Sequence, residues 1–228
     1  MFDLSHPERP LRLAVVSPHF DDGVLSLGAA MAGWARAGHR VELVTVLGCD
    51  PDSDAPAGGW DQRAGFATEG AAARGRSDED RRASSRLGAS STWFPFGSLD
   101  YERHAVADAV WAAIANSLDA DVVLLPGSPL AHPDHAWLHA LVTPRVPTER
   151  LALYAEQPYT KTAGGTPFAP VRASVRDRLT KWRAIREYRT QLPLLGAAGV
   201  GATARLALAV ERIAWPDAGE VGSRLRLR

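Results

Sequence analysis

The sequence predicts an α/β domain built on a mostly parallel sheet with helices on both of its faces. Three observations carry this. Short apolar runs rich in Val and Leu alternate with longer Ala- and Leu-dense stretches, the strand and helix periodicities of an alternating fold. The first two apolar runs flank a helical stretch, which makes a right-handed βαβ unit with parallel strands. Two polar clusters follow directly on apolar runs, where the carboxyl edge of such a sheet forms its ligand crevice.

Leu11 to Val16 is the first buried strand, closed by Ser17 and Pro18. Val24 to Ala37 is a helix with Gly38 just past its end, and Val41 to Leu47 is the second strand. From Gly48 to Gly75 the chain loses periodicity and fills with Asp, Pro, Gly and Ala, which predicts a long functional loop. A helix over Ser77 to Leu87 follows, with Arg76, Glu79 and Asp80 at its opening, where acids favour the helix N-terminus. Ser91 to Phe96 reads as a strand weakened by its proline, Ala105 to Leu118 as an amphipathic helix, and Asp121 to Pro126 as a buried strand. A helix from Pro133 to Val142 and a strand from Leu151 to Ala155 come next. Val175 to Leu192 reads as a charged helix whose Trp182, Ile185 and Tyr188 pack on one side, ahead of an Ala/Gly-rich stretch from Leu194 to Val210. Glu211 to Arg228 holds a short strand and an arginine-bearing tail.

The 228 residues fit one domain, 1–228, and no repeat or low-complexity linker divides them. Twenty-six Lys and Arg balance twenty-six Asp and Glu, which removes the positive field of a phosphate-tracking protein and argues against a nucleic-acid partner. The lone Cys49 cannot form an internal disulfide, so a reducing, cytoplasmic setting is expected, with Cys49 a small buried hydrophobe. The apolar stretch Leu13 to Val16 is too short for a signal or a membrane span, and no membrane partner is expected. Glycine-rich phosphate loops are absent, which leaves a nucleotide cofactor without support.

The chemistry sits in the two polar clusters, Ser17-Pro-His-Phe-Asp-Asp22 and His132-Pro-Asp-His135. Together they offer His19, Asp21, Asp22, His132, Asp134 and His135, an imidazole and carboxylate set suited to zinc with groups left over for acid–base work. Two histidines, one carboxylate and an open position for water make a known catalytic zinc arrangement.

These clusters resemble the paired motifs of the PIG-L/LmbE-like N-acetyl sugar deacetylases, whose first signature is Pro/Ala-His-Pro-Asp-Asp-Glu. The resemblance covers Leu11 to about Tyr159. It implies a Rossmann-like fold and removal of acetyl from an amino sugar or glycoside, in settings that include natural-product and thiol-cofactor pathways. It further implies that His19, Asp22 and His135 hold zinc and that Asp21 is the general base. His132 would stabilise the tetrahedral intermediate or donate a proton, and Asp134 would complete the catalytic group from just outside the ligand set. An arginine at position 76 would contact the sugar. Phe20 and Gly23 depart from the signature, standing where Pro and Glu are usual.

Trp60, Trp93, Phe96 and Tyr159 fall in or beside loops, where an aromatic stacks on a sugar or packs in the core; Trp60 is the substrate-binding candidate. His139 lacks the glutamate of a zincin helix and reads as structural, while His6, His39 and His104 read as surface residues. Two other readings use the same residues. One is a zinc-containing relative that binds glycosides with weak turnover. The other is a receiver-like phosphoacceptor domain, which leaves His19, His132 and His135 unexplained.

Overall fold

A computed structural model describes residues 9–101, 106–127, 129–158, 168–196 and 199–216. The predicted Tyr159, His6 and His104, and the arginine-bearing tail, lie outside the described residues. Seven strands, β1 (Arg12–Ser17), β2 (Arg40–Thr45), β3 (Ser90–Trp93), β4 (Val122–Pro126), β5 (Leu151–Tyr154), β6 (Ala169–Pro170) and β7 (Arg212–Ala214), form one sheet in the order β3-β2-β1-β4-β5-β7-β6. The first five are parallel; β7 and β6 pair antiparallel at one edge. The strand order reverses between β1 and β4, and this switch point opens a crevice outside their carboxyl ends.

Alternation along β1 divides the core in two. Leu13 and Val15 face a layer made by α1 (Asp22–Arg36), α3 (Glu69–Leu87), α6 (Val175–Ile185) and α7 (Val200–Leu208). Ala14 and Val16 face α4 (Ala107–Ile114) and α5 (Pro133–Val142). The predicted α/β class with helices on both faces is the observed one. The C-terminal elements are fastened to α1 from inside: the buried Glu211 carboxylate accepts from the Ala29 and Ala30 N–H groups at 2.9 and 2.7 Å and pairs with buried Lys181 at 2.7 Å.

Several boundaries differ from the expected ones for identifiable reasons. The stretch from Gly48 to Gly75 is not all loop: it contains the short α2 (Gly59–Arg63), and α3 begins at Glu69, where the Thr68 hydroxyl caps Ala71 N–H at 3.2 Å. Gly70 and Gly75, read as loop residues, are packing notches inside a helix. A Cβ on Gly70 would lie 2.6 Å from the Pro51 carbonyl, and one on Gly75 would lie 2.6 Å from the Phe66 ring. Glu79 and Asp80 therefore sit buried in mid-helix rather than at an N-terminus. The charged helix stops at Ile185, seven residues early, although Tyr188 and Leu192 beyond it remain buried. The Ala/Gly-rich stretch contains α7. His39 is buried rather than on the surface, and its Nδ1 accepts from Leu11 N–H at 3.1 Å.

Candidate metal centre and its pocket

The loop from β1 into α1 is tied by its own side chains. Ser17 Oγ donates to the His19 carbonyl at 2.6 Å and accepts from Gly23 N–H at 2.9 Å, closing the turn on itself. Asp22 Oδ2 accepts from His19 N–H at 2.9 Å. Asp21 occupies the N-cap position of α1 with φ 88° and ψ −36°, and its side chain makes no capping bond. Such a conformation in a non-glycine residue costs about 1–3 kcal/mol and collects at functional sites. Its consequence is that the Asp21 carboxylate is not spent on the helix and lines the pocket instead.

The two departures from the family signature are absorbed locally. Phe20 is buried edge-on against Trp93 at 5.6 Å between ring centres, under the Arg76 guanidinium. A Cβ on Gly23 would lie 2.6 Å from Leu43 Cδ1, so a larger residue at the helix start would require Leu43 of β2 to shift.

Across the switch point, His132 caps α5 with Pro133 at its first turn, the arrangement a proline favours. His135, one turn on, is buried. Three donor atoms meet here in a near-equilateral triangle: His19 Nδ1 to Asp22 Oδ2 is 3.3 Å, His135 Nε2 to Asp22 Oδ2 is 3.2 Å, and His135 Nε2 to His19 Nδ1 is 3.2 Å. A tetrahedral zinc with N and O ligands at 2.0–2.1 Å spaces its ligands about 3.3 Å apart, so the triangle is the size of one tetrahedral face. Two imidazoles and a carboxylate held this close in a buried site offer three converging donor atoms to a cation. The residues fit a metal.

Each histidine of this set is backed by a carboxylate on its other nitrogen. His19 Nε2 lies 2.9 Å from Asp134 Oδ2, which also accepts from Leu99 N–H at 3.2 Å, and His135 Nδ1 lies 2.5 Å from Glu156 Oε1. This arrangement fixes the tautomer and turns the free lone pair toward the centre. Asp134 is fully buried, and its Oδ2 is shared between His19 and the Leu99 N–H.

His132 joins His19 and His135 in a cluster of imidazoles whose ligand atoms lie within 4.8 Å of one another. Its Nδ1, however, accepts from Asp134 N–H at 3.2 Å, so the neutral ring carries its proton on Nε2. In that tautomer Nε2–H is a hydrogen-bond donor. Burial and the neighbouring His19 and His135 lower its pKa to about 4, which keeps it neutral at pH 7. Burial alone would lower His135, but the Asp22 and Glu156 carboxylates outweigh it and push the ring to about 10. Burial would likewise raise Asp22; His135 and His19 hold it well below the usual carboxylate range. For Asp21 the balance is reversed, because burial and then the Asp22 charge raise it well above that range.

The pocket beside the centre is a cavity of about 380 Å³. His19, Asp21, Asp22, His132 and Asp134 form its floor, and Trp60, Arg76, Asp100, Gln191 and Leu195 contribute to its walls. Arg76 pairs with buried Asp61 at 3.1 Å, and Asp61 also accepts from the Tyr101 hydroxyl at 2.7 Å. Trp60 Nε1 donates to Gln191 Oε1 at 2.6 Å, tying the loop after β2 to the segment after α6. All eight site residues named from the sequence thus lie in or directly behind one crevice. His139 stands apart, with Nδ1 on the Pro126 carbonyl at 2.7 Å.

Sequence reasoning did not single out Glu156, Asp61, Gln191 or the position of Asp80. Only Glu156 carried a signal: it is an acid two residues past the end of β5, on the same carboxyl edge as the two motifs.

A family model described as PIG-L, GlcNAc-PI de-N-acetylase, matches residues 14–146. Among solved structures, the chain is 26% identical to a triple mutant of a deacetylase of the teicoplanin biosynthetic pathway, with TM-score 0.73 over 89% of this chain and 96% of that one. It is also 26% identical to the A40926 pseudoaglycone deacetylase, with TM-score 0.67 over 92% of this chain and 97% of that one. The 4-carboxy-2-hydroxymuconate hydratase of Pseudomonas putida, 20% identical with TM-score 0.60 over 89% of this chain and 95% of that one, shares the fold alone. No curated protein matches. With more than half of its length matched by the family model and both polar motifs at one centre, the chain belongs to the PIG-L family.

Proposed function

We propose that this protein is a zinc-dependent N-deacetylase that hydrolyses the acetamide of an amino sugar or glycoside. The single observation that supports it most is the triangle of His19 Nδ1, Asp22 Oδ2 and His135 Nε2, with edges of 3.2–3.3 Å, flanked by Asp21 and His132. A divalent cation held by these three residues would supply Lewis-acid polarisation of the amide carbonyl and a lowered pKa for water.

The chain's own groups do the rest. Asp21 takes a proton from the attacking water as the new C–O bond forms. The neutral His132 donates Nε2–H to the oxygen that becomes negative. As the C–N bond breaks, the proton held by Asp21 passes to the leaving nitrogen, giving acetate and a free amine. Arg76, held in place by Asp61, and Trp60, held by Gln191, orient the sugar. The polar floor and partly apolar wall suit a glycoside with a hydrophobic aglycone better than a free monosaccharide.

The fold also carries a hydratase, so residues rather than architecture decide the reaction. Acetate release is therefore measured on a panel of N-acetyl glycosides, with the metal-stripped protein reloaded in turn with zinc, cobalt and iron. Metal-dependent acetate release supports the reading. Bound glycoside without release favours the relative of weak turnover instead.

A further inference from the structure

Glu79 lies within α3, belongs to neither motif and is almost fully buried. Both of its carboxylate oxygens are taken by one residue of the segment after α6: Thr190 N–H donates to Oε1 at 3.0 Å and the Thr190 hydroxyl to Oε2 at 2.8 Å. The same hydroxyl oxygen accepts from Gln191 Nε2 at 2.8 Å, and Gln191 Oε1 accepts from Trp60 Nε1 at 2.6 Å. Four residues are thus joined in one line from α3 to the pocket wall, where Gln191 and Trp60 both stand.

The two ends fix the direction of every bond in that line. An indole N–H only donates, so the Gln191 amide oxygen faces it and the amide NH2 is turned to Thr190. The Thr190 hydroxyl then accepts from Gln191 and sends its own proton to the far end, where a carboxylate only accepts. Gln191 is fully buried, so an amide turned the other way would set its NH2 against the indole N–H, two donors facing each other out of solvent.

From this line we infer that Glu79 is a positioning residue for substrate recognition: through the Thr190 hydroxyl it sets which way the Gln191 amide points, and so fixes the Trp60 indole in the pocket wall. The inference rests on Trp60 orienting the glycoside proposed above. Glu79→Gln puts an NH2 donor where one carboxylate oxygen stood. The Thr190 hydroxyl, facing a donor, turns its proton toward Gln191, whose amide reverses and loses the indole. The His19–Asp22–His135 triangle keeps its own supports from Ser17, Asp134 and Glu156, so the metal and the chemical step are spared.

The test uses Glu79→Gln, Thr190→Val and Thr190→Ser in the full chain. The Trp60 indole N–H resonance, assigned by its loss in Trp60→Phe, is read by NMR in the as-purified protein, with kcat, KM and metal content measured beside it. Glu79→Gln and Thr190→Val are expected to move that resonance upfield and to raise KM roughly 2- to 10-fold, the worth of one hydrogen bond, with kcat within a few-fold and metal content unchanged. Thr190→Ser, which keeps the hydroxyl, restores both the resonance and KM. Should Glu79→Gln not fold, the two Thr190 variants carry the test. An unmoved resonance in Thr190→Val overturns the inference, and so does Thr190→Ser behaving like Thr190→Val. Loss of metal with a fall in kcat overturns it too, as a general loosening of the site, and a resonance that moves while KM does not removes the role in recognition. If the unaltered protein releases no acetate from any glycoside while the resonance moves in Thr190→Val and returns in Thr190→Ser, the deacetylase reading fails and the positioning of Trp60 stands.

Discussion

His135 Nδ1 lies 2.5 Å from Glu156 Oε1, with both side chains almost fully buried. The pair joins the carboxyl end of β5 to the first turn of α5, so the neighbouring strand β4 is bracketed by one imidazole and its carboxylate. A histidine that gives one N–H to a carboxylate presents a more basic lone pair on its other nitrogen. Glu156→Gln is therefore expected to weaken metal binding by 10- to 100-fold without changing the metal-to-protein ratio at saturation. Competition against a chelator of known affinity measures this, and an unchanged dissociation constant would show that Glu156 serves the fold rather than the centre.

The adjacent aspartates are expected to separate by role. Asp22 Oδ2 is a corner of the donor triangle, whereas Asp21 lies off it and lines the pocket. Asp22→Asn should release the metal. Asp21→Asn should retain it and lose roughly 10²- to 10⁴-fold in turnover, the usual worth of a general base. Zinc content by elemental analysis and acetate release on both folded variants decide the matter; equal metal loss in the two would reverse the assignment.

Much of this centre was legible because it obeys strand-end logic: His19, Asp21 and Asp22 follow one buried run, and His132 to His135 follow another. The sheet's strand order then brings those two ends together. What could not be read is held by contacts that leave no periodic trace. α3 hides its first turns behind Gly70 and Gly75, present because Pro51 and Phe66 approach within contact of the helix backbone. Asp80 looked like an acid favouring a helix start because the start itself was placed eight residues late. Gln191 lies beyond the end of α6, and only the Trp60 indole reveals its use. Propensity reports on near neighbours in sequence, whereas Asp80 and Gln191 answer to Tyr188 and Trp60, more than a hundred positions away.

The tight start of α1 predicts the outcome of restoring the usual family residue. At Gly23 a Cβ would meet Leu43 Cδ1, the end of a side chain, at 2.6 Å, and Leu43 is fully buried, so it can yield only by shifting within the core. Gly23→Ala gains about 1 kcal/mol in helix propensity, but overpacking a core costs about 1–3 kcal/mol. A net loss of about 1 kcal/mol is expected, and more for Gly23→Glu. Thermal unfolding should show it as a fall of about 2–4 °C per kcal/mol, partly recovered when Leu43→Val is added. No recovery in the double variant would mean that the strain lies elsewhere.

Cys49 is buried and its thiol is pushed up to about 11, chiefly by burial. The fold keeps a proton that an unfolded chain gives up from about pH 8.5. Stability from this group is therefore complete below that pH and is lost as pH rises through about 11. At pH 8 the folded thiol should react with a disulfide reagent at least roughly 10²-fold more slowly than the same thiol in urea, since only the thiolate attacks. Equal rates in the two states would place Cys49 in contact with solvent and reopen a chemical role for it.

Recognition should depend on Trp60 through both its ring and its N–H. Gln191 is fully buried, and Trp60 Nε1 is the donor to its Oε1, at 2.6 Å. Trp60→Phe keeps an aromatic face but leaves that oxygen without its donor, a buried loss of about 1–3 kcal/mol. Trp60→Ala removes the wall as well and frees Arg63, whose guanidinium lies 5.4 Å from the indole centre. Neither change touches the donor triangle, so kcat should stay within a few-fold while KM rises in the order Phe, then Ala. Metal content should be constant across the three proteins. Steady-state kinetics on the best glycoside of the panel separate this from the alternative, in which Trp60 only closes the loop: both variants would then lose thermal stability with KM unmoved, and sugar recognition would pass to Arg76 and Asp100.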